Sequence, residues 1–345
     1  MFLNLQLGFI FPAMTKVSQT DDELVARFEK IGEKIGKVRE AAASVIFGQE
    51  RVMELSLITL LAGGHALLIG VPGLAKTSLV ETLGAVLGLD NKRIQFTPDL
   101  MPSDIVGSEV LEEGAGGRRD FRFIKGPVFT QLLMADEINR ASPKTQSALL
   151  QAMQEHHVTV AGTTHDVPKP FHVLATQNPL EQEGTYPLPE AQLDRFLLQI
   201  DVGYPDELAE RRMLYATTGT GETKLQTILS ASELMNAQRM VRQLPVGDKV
   251  VDAILKLVRA ARPDTGAGEA IDKTIAWGPG PRASQALMLG VRAKALIEGR
   301  LAPSIDDVID LAEPVLKHRM ALTFGARAEG KGISEVVTTL TERLE

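Results

Sequence analysis

No cysteine occurs in the 345 residues, which excludes disulfides, thiolate nucleophiles and cysteine-held zinc and fits a reducing, cytoplasmic setting. Positive charge is not in excess either: the formal net charge is −7 and the isoelectric point is near 5.5. A general affinity for nucleic acid or an anionic membrane has no basis in that balance, so partners are expected among proteins and small molecules. A membrane span is also missing. The apolar opening, residues 1–14 with Phe2, Leu3, Leu5, Leu7, Phe9, Ile10 and Phe11, is far shorter than the roughly 20 residues a spanning helix needs, and no basic residue precedes it as in a signal peptide. Met14 begins an ordinary polar, amphipathic segment, so a start codon placed too far upstream is one explanation for the first 13 residues and a short membrane- or partner-docking segment the other. A spaced histidine pair is lacking as well. His156 and His157 are adjacent and would diverge rather than share a metal, as at a solvated helix end.

What is present is enough apolar material, 44% of residues at a mean hydropathy of +0.01, for a full core in a chain long enough for about two domains. The most informative stretch lies at residues 66–80. Residues 66–69 form a short apolar run fit for a buried parallel strand, Gly70, Val71, Pro72, Gly73, Leu74 and Ala75 form a small-residue loop, and a helix follows from about Ser78. Such a loop turns backbone N–H groups toward one point at the positive end of a helix dipole, which favours a polyanion. Lys76 would reach the β- and γ-phosphates of ATP, and the Thr77 hydroxyl would complete a Mg2+ shell. The segment departs from G-x-x-x-x-G-K-[ST] at one place, where Ala75 replaces the last glycine and its Cβ restricts positive φ.

In chain order, apolar residues Leu24, Phe28, Ile31, Ile35 and Val38 recur at three- and four-residue steps, predicting a helix over 21–43, and a second helix over 50–63 leads into the phosphate-loop strand. Gln49 and Val52, just before that strand, are candidates for adenine contacts or simply for helix capping. A strand over 93–97 is followed by a loop imposed by Pro98 and Pro102. Residues 108–124 read as a hairpin around Gly114–Gly117, and 158–167 as a second one.

The run 132–136 is a buried strand ending in Asp136 and Glu137, at the edge where parallel sheets bind ligand. Asp136 would hold the magnesium shell, and Glu137 would orient and deprotonate the water that attacks the γ-phosphate. A helix capped near Ser142 follows. Residues 171–175 form a third buried strand; beyond its end, Asn178 would hold the attacking water, or merely form an Asn-Pro turn. Arg195, before a strand over 197–202, is a finger candidate, with an exposed helix-end arginine as the plainer reading. Residues 204–212 read as a polar helix and 217–224 as a Thr/Gly-rich linker, where a domain boundary is expected. Beyond it everything reads helical: 225–242, 250–261, 284–298 and 305–319. Arg282 stands at a helix start, where a cation opposes the dipole and is better explained by a phosphate than by capping.

The order of these features resembles an AAA+ ATPase, and specifically the MoxR family. The resemblance is carried by residues 70–77, with the alanine usual in that family, by 95–104, by Asp136-Glu-Ile-Asn-Arg140, by Thr176-Gln-Asn-Pro179 and by 188–196, and it covers about residues 15–320. Met101 and the Gly-Pro-Gly before Pro281 are minor variants, and the first 14 residues have no counterpart. The resemblance implies an α/β doubly wound parallel sheet in a P-loop domain over 15–216, with a smaller all-helical lid over 217–345. It also implies hexameric rings with nucleotide between subunits. Under it the hairpin at Gly114 is an insertion in helix 2, that at Gly162 is the pre-sensor hairpin, Asn178 is sensor 1, Arg195 the finger and Arg282 sensor 2; Arg282 would either meet the γ-phosphate of its own subunit and draw the lid in or, as the helical stretch inserted over 225–261 favours, serve the neighbour's nucleotide. Relatives are chaperone-like motors that mature or activate other complexes together with von Willebrand A domain partners.

Two other classes share parts of this pattern. A chelatase-type motor for metal insertion has a similar core, although without cysteine or a spaced histidine pair this chain would not carry the metal itself. A nucleic-acid motor would show basic, aromatic-bearing hairpins; here Arg118, Arg119, Arg122 and Lys125 on one arm are offset by Glu109, Glu112 and Glu113 on the other.

Overall fold

The computed structural model describes residues 21–113, 119–181, 184–218, 225–263 and 269–344. The opening segment, the glycine turn at 114–117 with Arg118, and residues 219–224 of the expected linker lie outside them.

Helix α1 (Asp21–Ala43) buries Phe28, Ile31, Ile35 and Val38, as its periodicity dictates. Helix α2 (Glu50–Ala62) is buried along most of its length and stops at Gly63, whose φ of 77° an L side chain adopts only with strain. Strand β1 (Ala66–Ile69) leads through the phosphate loop into α3 (Lys76–Val86), and β2 (Asn91–Gln95) follows. A five-residue α4 (Pro102–Val106) runs into the hairpin of β3 (Gly107–Glu113) and β4 (Arg119–Lys125), paired from Gly107 opposite Lys125 to Glu113 opposite Arg119. Next come β5 (Leu132–Asp136), α5 (Pro143–Glu155) capped by Ser142, and the second hairpin of β6 (His157–Val160) and β7 (Thr163–Asp166). Strand β8 (His172–Gln177), α6 (Glu190–Leu193), β9 (Leu198–Asp201) and α7 (Glu207–Thr218) complete this part.

The five strands β2-β5-β8-β1-β9 form one sheet, parallel at every pairing. Successive side chains point to opposite faces, so Ala66, Leu68, Leu132, Met134 and Leu174 enter one apolar cluster while Leu67, Leu133, Val173 and Ala175 enter another. Both faces are covered, which makes the sheet doubly wound. Strand β8 lies between β5 and β1, which places three strand ends side by side, and those ends carry Asp136, Gln177 and Ile69.

The remaining helices are α8 (Ala231–Gln243), α9 (Asp248–Ala260), α10 (Glu269–Thr274), α11 (Pro281–Ile297), α12 (Ile305–Leu316), α13 (Phe324–Ala328) and α14 (Ile333–Thr341). The expected helix at 225 starts six residues later, because Ser230 and Glu233 close a capping box there while the N–H groups of Ile228 and Leu229 donate to the carbonyl of Val86. The purely helical reading is corrected in one respect: β10 (Ile275–Trp277) pairs antiparallel with β11 (Ala321–Leu322). A β-branched and an aromatic residue in a three-residue run pair with residues 47 and 44 positions later, Ile275 with Leu322 and Trp277 with Ala321, a ladder that no local pattern reveals. Helices α8 and α11 pack on α2, so one apolar cluster is continuous from the sheet into the lid. Arg51 adds a two-pronged contact to the Asp310 carboxylate at 3.0 and 2.9 Å, and Lys34 with Glu233 and Lys317 with Asp201 tie the same two parts.

Three imidazoles are locked inside this frame. His65 accepts from the N–H of Val173 at 2.9 Å and meets the Met153 carbonyl at 3.2 Å, and His172 lies 2.8 Å from the Gly64 carbonyl and 3.0 Å from the Gln238 amide. Desolvation, and the neighbouring imidazole for His65, push them down to about 3 and about 4, and burial does the same to His318. The unfolded chain titrates near 6.5 and so binds more protons than the native state below that pH. Stability is therefore full above about pH 6.5 and falls on acidification: from pH 7.5 to 5 the expected loss is about 2 kcal/mol for each of His65 and His172. Urea unfolding at the two pH values reads this directly, and an unchanged free energy would refute it.

Candidate functional site

The phosphate loop is bent by two residues in the left-handed region, Gly73 at φ 85° and Ala75 at φ 55°. The conformation that the consensus glycine would supply is thus adopted by Ala75 itself, at a cost of about 1–2 kcal/mol. Helix α3 begins there with no side-chain cap, which leaves its first N–H groups directed into the loop. Lys76 Nζ donates to the Gly70 carbonyl at 2.6 Å, and desolvation lowers its pKa while Asp136 and Glu137 oppose that shift.

Pro72, Gly73, Ala75, Lys76, Thr77, Arg93, Gln95, Asp136 and Glu137 line one cleft of about 400 Å³. The sequence-predicted phosphate, metal and general-base groups therefore meet. An uncapped helix start, a lysine, a hydroxyl and two carboxylates around one space form a donor set that fits ATP with Mg2+.

Four residues that carry no assigned role in the sequence reading organise the two acids. Thr176 Oγ1 donates to Asp136 Oδ1 at 2.5 Å and accepts from the Glu137 N–H at 2.9 Å. Arg93 donates to Asp136 Oδ2 at 2.6 Å and to Gln95 Oε1 at 2.9 Å. Gln95 and Arg140 both donate to Glu137 Oε2, at 2.6 and 2.9 Å. Gln95, Arg140 and Thr176 all stand inside the segments that carry the family resemblance, so their positions were visible although their bonds were not. Glu137 itself has φ 53°, a strained conformation held by this network.

Asn178 is buried past the end of β8, and its Oδ1 accepts from the Leu180 N–H at 3.1 Å, forming the turn over Pro179 while leaving the amide N–H groups as its donor side. Gln49 is also buried; it is the N-cap residue of α2, but its side chain makes no cap bond, its amide donating instead to the Gly203 carbonyl at 2.8 Å, and it does not line the phosphate cleft. Leu74 is buried, Val71 half-buried and Ser78 exposed on the first turn of α3.

The two predicted arginines lie elsewhere. Arg195 and Arg282 line a separate cleft of about 270 Å³ with His65, His156, Asp194 and Arg319, and this cleft shares no residue with the first. Arg195 Nη1 donates to the Leu150 carbonyl at 2.7 Å, and Arg282 Nη1 is 3.6 Å from Asp194 Oδ2. The hairpin arms are electrostatically self-paired, Arg119 with Glu113 at 3.0 Å and Arg122 with Glu112 at 2.9 Å. Phe123 stacks on His165 of the second hairpin, with centroids 4.0 Å apart. No cluster of three or more histidine, aspartate or glutamate side chains placed to hold a metal by themselves, and no helix long and apolar enough to cross a membrane, occurs among the described residues.

A parallel doubly wound sheet with a lysine-bearing loop after one strand, paired acids after another and a helical lid defines an AAA+ protein. Residues 65–198 match the ATPase family associated with various cellular activities, and 268–340 match an AAA lid domain. The chain is 45% identical to Chaperone MoxR1 of Mycobacterium tuberculosis over 83% of its own length and 75% of that protein's, and 31% identical to Protein MoxR of Paracoccus denitrificans over 83% and 89%. It superposes on the solved structure of a candidate ATPase from Cytophaga hutchinsonii with a TM-score of 0.85 at 38% identity, covering 93% of this chain and 96% of that one. The chain belongs to the MoxR family of AAA+ ATPases.

Proposed function

We propose that this protein binds ATP with Mg2+ at residues 70–78, hydrolyses it with Glu137 as general base, and works as a homo-oligomeric, hexameric ring. Each subunit's Arg195 and Arg282 serve the neighbour's nucleotide. The observation that carries this reading is the separation of the two clefts: the arginines suited to phosphate line a different cleft from the loop suited to hold it. An assembled interface unites them.

In this reading Lys76 and the α3 N–H groups bind the phosphates, and Thr77 with Asp136 holds the metal, which when bound neutralises charge on the phosphate oxygens. Glu137 takes the proton of the attacking water; Gln95 and Arg140 converge on its Oε2, so Oε1 is the oxygen presented to water. Asn178 positions that water through its amide. The energy remodels or activates a client protein complex in the cytoplasm, a role that the name of the relative Chaperone MoxR1 fits; on the family resemblance alone, a von Willebrand A domain protein is the partner. Residues 15–216 act as the motor unit and 217–345 as the lid. The self-paired hairpin arms favour a protein client over nucleic acid.

Lys76→Ala is expected to abolish ATP binding, whereas Arg195→Ala should retain affinity within about threefold and lose turnover by 10³-fold or more, the range for an arginine finger. Calorimetric binding and phosphate release measure the two. Normal turnover by either variant would refute the assignment.

A further inference from the structure

Arg319 heads the fully buried side chains by volume, with a side-chain exposure of 2%. Its guanidinium makes five hydrogen bonds: Nε to Asp194 Oδ1 at 2.8 Å, Nη1 to the carbonyls of Leu197 at 3.1 Å and Val315 at 2.6 Å, and Nη2 to those of Asp194 at 3.3 Å and Phe196 at 2.5 Å. Four of the five reach the segment 194–197, more than 120 positions earlier in the chain. That segment carries Arg195. The other oxygen of Asp194 faces Arg282, so one carboxylate stands between a buried arginine of the lid and an exposed one, next to the finger residue. Neutral, buried His318 adds a contact to the Phe196 carbonyl at 3.1 Å.

Removing a guanidinium from water is costly, and an apolar residue of equal volume would fill the same space without that cost. What only arginine adds is a rigid fork of five donors that fixes the directions of several carbonyls at once. Here those carbonyls belong to the chain on either side of Arg195.

We propose that Arg319 and Asp194 are positioning residues for trans hydrolysis: they lock the finger segment of the α/β part to the lid, so that Arg195 and Arg282 meet the neighbour's nucleotide as one preset pair. This rests on the reading that the two arginines act across the interface. Any lid rotation then moves both together, and nucleotide-driven lid motion in one subunit changes the chemistry in the next.

The test uses Asp194→Asn, which keeps an oxygen for Arg319 Nε and removes the charge facing Arg282. Expected are a KM for ATP within threefold of wild type and a kcat lowered about 10- to 100-fold, the scale of a misplaced catalytic group. Arg319→Lys, which keeps charge but loses the fork, should lower kcat similarly, and the double variant should fall no further. Mixed with Lys76→Ala subunits, Asp194→Asn subunits should regain hydrolysis, because their intact phosphate loops now meet intact arginine pairs. Arg195→Ala mixed with Lys76→Ala is the parallel control. Recovery in the control but not with Asp194→Asn would overturn the positioning role while sparing the trans reading. Absence of recovery in both, with co-assembly shown by crosslinking, would overturn the trans reading and the proposal with it, as would a wild-type kcat in Asp194→Asn.

Discussion

Glu137→Gln should bind ATP with an affinity near that of wild type and turn it over about 10²–10⁴-fold more slowly. The substitution keeps the shape and the oxygen that accepts from Gln95 and Arg140, and removes only the basic carboxylate. Because the loss falls on a step in which water gives up its proton, it belongs to kcat and not to ground-state binding. Single-turnover phosphate release, with nucleotide affinity measured separately, distinguishes the two. Turnover at the wild-type rate would remove Glu137 from the mechanism.

Arg319→Met is expected to destabilise the chain by about 3–5 kcal/mol, since it leaves Asp194 facing an apolar side chain and takes the donor from buried carbonyls of Phe196, Leu197 and Val315. The thioether fills comparable volume, so lost polar contacts and not a cavity set the size of the effect. Urea unfolding of the variant beside wild type reads it. A change under about 1 kcal/mol would show that the fork contributes nothing net to holding lid and finger segment together.

Much of the α/β part was legible because its signals are local. The run at 132–136 is an apolar strand with acids at its end, and the structure places β5 over those residues. Lys76, Thr77, Asp136 and Glu137 converge because parallel strands deliver their carboxyl ends to one edge, a rule of topology that needs no side-chain detail. The second sphere was illegible for the opposite reason. Arg93 meets Asp136 across 43 positions and Arg319 meets Asp194 across 125, and no periodicity links such pairs. Ala75 shows the limit of motif reading from the other side: its side chain argues against a left-handed residue, yet the loop adopts one because the strand and helix on either side dictate the bend. Gln49 illustrates a third case, where the structure ties a side chain to a carbonyl 154 positions away, Gly203, that local sequence could not indicate.

On the proposed reading, with Arg195 and Arg282 serving a neighbour's nucleotide, assembly is a condition of chemistry, and one measurement addresses that condition directly: phosphate release per subunit across a dilution series of the wild-type protein, with particle mass followed in the same samples. Specific activity should rise from near zero in dilute monomer to a plateau as rings form. A constant specific activity that persists where every particle is a monomer would contradict it.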